Sequence, residues 1–236
     1  MSHVKIEVFM SAIAIITARG GSKRIPGKNK KLFLGKPIIC YSIEAALNSG
    51  IFDEVMVSTD DVEIADIAKK AGASVPFMRS DKTANDYAST DEVLAEVIGR
   101  YEEMGRHFDY MACLYPTAPF ITVERIKAAM EKIMSSGAAE LMPVVAYSFP
   151  PQRAVVLNDN RVVYREPENA LKRSQDLRKI YHDCGQFYIY DVNKFLDPKC
   201  NPDDDMTYIE IDEMEVQDID NETDWKLAEL KYGLLH

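Results

Sequence analysis

Residues 12–37 read AIAIITARGGSKRIPGKNKKLFLGKP, a stretch in which a strand-like run passes directly into a glycine-bearing loop. The first six residues, AIAIIT, are apolar and rich in isoleucine, which is typical of a strand buried on both faces. Gly20 and Gly21 follow that run closely. The stretch therefore predicts a first strand that ends in a long loop, at the edge where open α/β sheets bind ligands.

That loop is far more basic than the rest of the protein. Residues 19–36 carry seven lysines and arginines and no acidic residue, although the whole chain has a net charge of −10 and even scattering would place roughly two cations there. The loop matches neither G-x-G-x-x-G nor G-x-x-x-x-G-K-[ST]. Paired glycines let backbone N–H groups approach phosphate oxygens, so the loop predicts a nucleoside triphosphate site. The alternative is a solvated surface loop without a ligand.

Beyond the loop, predicted helices and strands alternate along the chain. The further predicted strands cover residues 54–58, 74–78, 110–115, 141–146, 185–190, 208–211 and 215–219. This order predicts an α/β protein with a parallel sheet and helices on its faces. The pattern stops between residues 150 and 178, where Asn158-Asp159-Asn160 indicates a hairpin. We interpret that segment as a flap or a subunit contact.

Length and composition restrict the class of protein. A chain of 236 residues predicts one domain over residues 1–236, and the sequence pI near 5.0 argues against nucleic acid or an anionic membrane as the main partner. Four separated cysteines, without a recognisable leader or membrane span, predict free thiols in a cytoplasmic protein. Residues 1–9 fit no strand or helix, and we expect a disordered extension or a true start further along.

Two aspartates near the end of the chain form the second candidate site. In an extended segment, alternate residues project to one face, so Asp218 and Asp220 can meet one hard cation. The alternative is helix capping ahead of residues 221–224, because acids are favoured at a helix N-terminus. A nearby triphosphate favours the metal site, since Mg²⁺ binds through one or two carboxylates plus phosphates.

Histidine carries a weaker signal. His182, in YHDCG, is either a substrate contact or a structural histidine, and no Ser-His-Asp set or His/Cys metal pattern is visible.

Residues 18–29, ARGGSKRIPGKN, resemble the signature loop of the cytidylyltransferases that activate nonulosonic acids, the family of CMP-sialic acid synthetases. The resemblance continues in order through residues 52–61, 85–90, 115–119 and 217–224, and therefore covers nearly the whole chain. It implies a mostly parallel, Rossmann-like sheet of the nucleotide-sugar transferase type. It also implies a homodimer in which residues 150–178 form the dimerisation element.

The resemblance assigns roles to individual residues. The nucleotide site would comprise Ala18, Arg19, Gly20, Gly21, Ser22, Lys23, Lys28, Asn29 and Ser89. The sugar acid would contact Tyr115, Thr117, Arg173, His182 and Gln186. The catalytic residues would be Arg19, Lys28, Asp218 and Asp220, with the two aspartates binding Mg²⁺.

Two departures from the family pattern bear on the sugar. CMP-sialic acid synthetases carry a glutamine where this chain has Tyr115, and an F-R-P-N-G run where it has His182-Asp183-Cys184-Gly185. Losing that arginine argues against sialic acid. Residues 115–122 and 173–188 are similar to the members that use pseudaminic acid. The predicted reaction is therefore transfer of CMP from CTP to pseudaminic acid, for bacterial surface or flagellar glycosylation.

Two alternatives stay open at this point. The first is the same reaction on sialic, legionaminic or 3-deoxy-octulosonic acid. The second is a non-catalytic nucleotide-binding protein, against which the combination of a basic loop and a carboxylate pair argues.

Overall fold

The apolar run at residues 12–17 is a strand inside the main sheet. This strand, β1 (Ala12–Thr17), pairs in parallel with Glu54–Ser58 on one side and with Tyr110–Leu114 on the other. Residues 12–16 are each 5% exposed or less. Because helices cover both faces of the sheet, both sets of alternating side chains must be apolar, which explains the continuous run.

The computed structural model describes residues 10–236. The strands are β1 (Ala12–Thr17), β2 (Leu32–Phe33), β3 (Lys36–Pro37), β4 (Glu54–Ser58), β5 (Tyr110–Leu114), β6 (Glu140–Ala146), β7 (Val155–Asn158), β8 (Arg161–Tyr164), β9 (Tyr181–Asp183), β10 (Phe187–Asp191) and β11 (Met206–Glu210). The α-helices are α1 (Ile39–Ser49), α2 (Val62–Lys70), α3 (Asp81–Ala84), α4 (Thr90–Glu103), α5 (Val123–Ser136), α6 (Val192–Leu196) and α7 (Glu222–Leu235).

The main sheet has the strand order β11-β6-β10-β5-β1-β4, and β9 pairs with β6. The prediction of an α/β fold with a mostly parallel sheet is confirmed, but β10 runs antiparallel to both of its neighbours. The reason lies in the excursion that follows β6. The chain leaves the sheet at the carboxyl end of β6 and re-enters at the same edge, so the returning strands must run the other way.

Helices cover the two faces of the sheet unequally. Helices α1, α2 and α5 pack on one face, where Ile43, Ile64 and Ile133 are buried. Helix α4 packs on the other face through Leu94 and Val97. The carboxyl ends of β1, β4 and β5 stay accessible between these layers, and the loops that follow them meet at one edge.

A third apolar cluster lies outside the sheet and joins the basic loop to the C-terminal helix. Its buried members are Ile25, Phe33, Ile38, Phe120, Ile219, Trp225 and Ala228. The ring of Phe33 is 5.7 Å from that of Trp225, in an edge-to-face arrangement. Ile25 belongs to the basic loop, and Ile219 lies between the two predicted metal-binding aspartates. This packing therefore fixes the aspartate segment beside the basic loop.

Two of the predicted strands are wrong. Residues 74–78 form only one bridge, between Ser74 and Met56, because Pro76 offers no N–H for a continuing ladder. Residues 215–219 are irregular after a single 3₁₀ turn at Glu213–Glu215. There Val216 joins the main core whereas Ile219 joins the third cluster, so the segment has no common sheet face.

The hairpin predicted within residues 150–178 is confirmed. Strands β7 and β8 pair around Asp159 and Asn160, whose φ angles of 45° and 62° fit a type I′ turn. Residues 1–9, for which we expected an extension, lie outside the described residues. The four cysteines are free, as predicted. No helix within residues 10–236 has both the length and the apolar character needed to cross a membrane.

Replacing Ile219 tests whether the third cluster holds the aspartate segment. Ile219→Ala should lower the free energy of unfolding by about 2–5 kcal/mol, and Ile219→Val by about 0.5–1.5 kcal/mol, because the side chain is fully buried. Leu234→Ala, at a position 76% exposed, is the control and should change it by less than about 0.5 kcal/mol. Urea denaturation measures all three. An Ile219→Ala variant as stable as the control would contradict this account of the packing.

Candidate active site

A cavity of about 520 Å³ opens at the carboxyl ends of β1 and β5. The predicted nucleotide and sugar-acid residues that line it are Arg19, Ser22, Lys23, Lys28, Asn29, Ser89, Tyr115 and Thr117. Ser89 also begins helix α4, where its side chain accepts a hydrogen bond from Glu92 N in a capping box. The cavity therefore has a helix N-terminus on one wall and the basic loop on the other, an arrangement suited to an anion.

The start of the basic loop is fixed by hydrogen bonds that its backbone N–H groups donate to β4 and to the residues that follow β4. Ala18 N donates to Ser58 O at 2.9 Å, and Gly20 N donates to Asp60 Oδ1 at 2.8 Å. A Cβ atom at Gly20 would lie 2.9 Å from Cβ of Asp61, so glycine is required there, whereas a Cβ at Gly21 would meet nothing within 4 Å. These residues shape the loop, and the side chains that follow them face the cavity.

The cations of the loop separate into two groups. Arg19 and Lys23 both pair with Asp86, and Arg24 Nη1 lies 2.7 Å from Asp220 Oδ2. The cations away from the cavity pair with acids on the nearby helices: Lys30 with Asp61 and Glu63, Lys31 with Glu222, and Lys36 with Glu44. The alternative of a solvated surface loop thus describes Lys30, Lys31 and Lys36, whereas the first group and Lys28 line the cavity.

Lys28 connects the basic loop to the aspartate pair. Its Nζ donates to Ile219 O at 2.6 Å, across 191 residues of sequence. Burial lowers the pKa of Lys28, and the nearby charges of Asp220 and Asp218 oppose that shift. Burial, followed by repulsion from Asp220, raises the pKa of Asp218. The fold therefore places Lys28, from the first part of the chain, beside Asp218 and Asp220, from the last part.

The aspartate pair has the donor chemistry for a divalent cation. The capping role falls to other residues, because Asn221 caps α7 and Asp224 accepts hydrogen bonds from the N–H groups of Asp220 and Asn221. The charge of Asp220 adds to burial in raising the pKa of Asp218, and a bound cation would oppose that shift. Within residues 10–236 no group of three His, Cys, Asp or Glu ligands occurs. Two carboxylates suit Mg²⁺, whose other ligands would be phosphates and water.

Sequence reasoning missed a buried cation in the cavity wall. Arg79 is 8% exposed, and its guanidinium donates to Ser58 O at 2.8 Å and to Ser58 Oγ at 3.1 Å. Burial lowers its pKa. One feature of the sequence could have indicated that Arg79 is buried. It directly follows a short apolar segment and precedes the polar loop at residues 85–90.

The remaining predicted sugar contacts lie outside this cavity. His182 and Asp218 line a second cavity of about 560 Å³, and the His182 ring lies 4.6 Å from that of Tyr147. Gln186 is 1% exposed and lines neither cavity; its Nε2 donates to Glu215 O. Arg173 is largely exposed and pairs with Asp176 at 2.9 Å. The structure therefore brings Tyr115 and Thr117 to the first cavity and His182 to the second, but brings Arg173 and Gln186 to neither.

A basic loop, a nucleotide-sized cavity at the strand ends and an adjoining carboxylate pair define a nucleotidyltransferase. The cytidylyltransferase family model matches residues 13–225, and the chain belongs to that family. It is 42% identical to the pseudaminic acid cytidylyltransferase of Campylobacter jejuni over 96% of this chain and 98% of that protein. It is 34% identical to the CMP-N,N'-diacetyllegionaminic acid synthase of Legionella pneumophila, covering 93% and 95% of the two chains.

Solved structures show the same fold. The CMP:2-keto-3-deoxy-manno-octonic acid synthetase complexed with CTP superimposes with a TM-score of 0.70 at 20% identity, over 96% of this chain and 100% of that one. At this identity the likeness concerns the fold. It confirms the predicted α/β fold with a mostly parallel sheet flanked by helices.

Asp86 gives a direct test of the cavity's charge. Its carboxylate neutralises Arg19 and Lys23, and the hydrogen bond from Lys23 holds its pKa below the usual range. A triphosphate bound by these two cations would have to displace this carboxylate, so Asp86→Asn should tighten CTP binding by about 2–5-fold at low salt, a range typical of exposed ion pairs. Calorimetric titration measures it, with Asp66→Asn on the exposed side of α2 as control. Weaker CTP binding by Asp86→Asn would contradict displacement.

Proposed function

We propose that the protein transfers CMP from CTP to the anomeric hydroxyl of pseudaminic acid and releases pyrophosphate. The observation that carries this proposal is the convergence of Lys28 with Asp218 and Asp220 beside the nucleotide-sized cavity. Membership of the cytidylyltransferase family supports CTP as the nucleotide. The 42% identity with the Campylobacter enzyme, over nearly the full length of both chains, supports pseudaminic acid.

In this proposal the basic loop binds the triphosphate. Arg19, Lys23 and Lys28 neutralise phosphate oxygens, while the Ser22 hydroxyl and the N–H of Gly21 donate hydrogen bonds to them. The N–H of Ser22 already donates to Gly20 O at 3.0 Å. Asn29 is 7% exposed, and its Nδ2 donates to Arg19 O at 2.9 Å. It therefore acts chiefly by fixing the loop that carries Arg19.

The reaction is a displacement at the α-phosphorus of CTP. The anomeric oxygen of the sugar forms the new P–O bond, the bond from the α-phosphorus to the bridging oxygen breaks, and the hydroxyl proton passes to solvent. Arg19 and Lys28 stabilise the negative charge that builds up on the departing pyrophosphate. Mg²⁺, when held by Asp218 and Asp220, would supply further neutralisation of phosphate charge.

The sugar acid is proposed to lie between the two cavities. Tyr115 and Thr117 directly follow β5 and line the nucleotide cavity. His182 lines the second cavity. Arg173 is exposed in the excursion after β6, so in this proposal it would contact the sugar acid of a neighbouring subunit. Gln186 would act through Tyr115, because the backbone carbonyl oxygen of Gln186 accepts a hydrogen bond from Tyr115 N at 2.9 Å.

We further propose that residues 150–178 form a dimerisation arm and that the enzyme is a homodimer. The hairpin exposes apolar side chains, among them Leu157 at 82%, Val162 at 65% and Val156 at 47%. An exposed apolar hairpin of this kind favours a protein contact over solvent. A CTP-dependent step of this type belongs in the cytoplasm, ahead of bacterial surface or flagellar glycosylation.

Legionaminic acid is the second candidate substrate, because a relative at 34% identity is named for it. Purified protein, CTP, Mg²⁺ and a panel of sugar acids separate the candidates. Pseudaminic acid should give the fastest pyrophosphate release. Faster turnover of legionaminic, sialic or 3-deoxy-octulosonic acid would overturn the substrate assignment.

The same assay tests the residues. Asp220→Asn and Arg19→Ala should each lower kcat by about 10²-fold or more, because the first removes a proposed Mg²⁺ ligand and the second removes positive charge that stabilises the departing pyrophosphate. Lys70→Ala, an exposed cation at the end of α2, is the control and should keep wild-type turnover. Unchanged thermal unfolding shows that the fold is intact. Near-normal turnover by both variants would refute the assigned metal and phosphate roles.

A further inference from the structure

Tyr115 is held in a defined orientation at the wall of the nucleotide cavity. Its N–H donates to Gln186 O at 2.9 Å, and its carbonyl oxygen accepts from Ser42 Oγ at 2.7 Å. Its hydroxyl lies 3.5 Å from Thr90 Oγ1, at the start of α4. Both backbone polar groups of Tyr115 are thus hydrogen-bonded, and its side chain extends from the end of β5 to the start of α4.

The ring of Tyr115 packs against a second tyrosine that the assigned site does not include. The Tyr188 ring lies 5.6 Å from it, with an angle of 66° between the ring planes. Tyr188 is 9% exposed, and its hydroxyl donates to Asp183 Oδ2. Burial strongly raises the pKa of Tyr188, so the hydroxyl keeps its proton and remains a donor. The second oxygen of Asp183 accepts from Gly185 N at 2.8 Å, which fixes the carboxylate.

These contacts connect the two cavities. Thr90 and Tyr115 line the nucleotide cavity, whereas Asp183 lines the second cavity together with Asp218. Tyr188 lies between them in β10. Tyr115 and Asp183 also stand at the two places where the sequence departs from the sialic acid synthetase pattern, 68 positions apart, and the fold brings both into contact with this one tyrosine.

We propose that Tyr188 and Asp183 are positioning residues that orient Tyr115 toward the sugar acid, so that the three side chains act as one unit. This inference rests on the proposed function, because Tyr115 is taken as a sugar contact. Tyr188 and Asp183 act through Tyr115 and leave the phosphates of CTP untouched. Side chains that act as one unit give non-additive effects when they are replaced together.

A double-mutant cycle tests this coupling. Tyr188→Phe and Tyr115→Phe should each lower kcat/KM for the sugar acid by about 10-fold, the effect of one lost hydrogen bond. The double variant should also lose about 10-fold, because the unit is already broken by either change. The dissociation constant for CTP should stay within about 2-fold of the wild-type value in all three, which also shows that the variants are folded.

Tyr190→Phe is the matched control, since Tyr190 is 5% exposed and lies two residues along the same strand on the same face. It should leave kcat/KM unchanged. Losses that multiply to about 100-fold in the double variant would overturn the inference, as would an equal loss in Tyr190→Phe or wild-type activity in Tyr188→Phe. The assay uses whichever sugar acid the wild-type enzyme turns over fastest. A failure of pseudaminic acid therefore refutes the substrate assignment alone, while the cycle still tests the unit.

Discussion

The hydrogen bond from Lys28 Nζ to Ile219 O, at 2.6 Å, is the contact on which the site depends. It joins a loop that follows the first strand to a segment just before the last helix. Packing holds it in place, because the side chain of Ile219 is fully buried in the cluster that contains Ile25 and Phe33. Without that packing, Asp218 and Asp220 would be acidic residues of a surface segment, far from any phosphate.

Charge is organised around that contact. The chain is acidic as a whole, yet it places cations on one wall of the cavity and supplies their counterions from its own sequence, Asp86 for Arg19 and Lys23 and Asp220 for Arg24. In the proposed function, a bound triphosphate would replace these carboxylates as the partner of the cations. Its affinity would then depend on salt, because these ion pairs are largely exposed.

Local pattern predicted much of this arrangement, and tertiary packing accounts for the rest. The apolar run of β1, the glycine-bearing basic loop and the Asn-rich hairpin turn each carry their own signal, whereas binding of a metal by Asp218 and Asp220 stays a prediction. The antiparallel direction of β10 could not be predicted, because it follows from where the excursion returns. Burial of Arg79 and Gln186 was equally hidden, since it depends on neighbours distant in sequence. The separation of the loop cations into two groups depends on which acids the helices present.

A crystal structure with CTP and Mn²⁺ bound tests whether the basic loop and the aspartate pair bind one triphosphate together. We expect an anomalous peak for the metal within coordination distance of the Asp218 and Asp220 carboxylates and of phosphate oxygens. We also expect those phosphates to contact Arg19 and Lys28, with Asp86 displaced. A triphosphate bound away from residues 19–28, or a metal without contact to either aspartate, would contradict this arrangement.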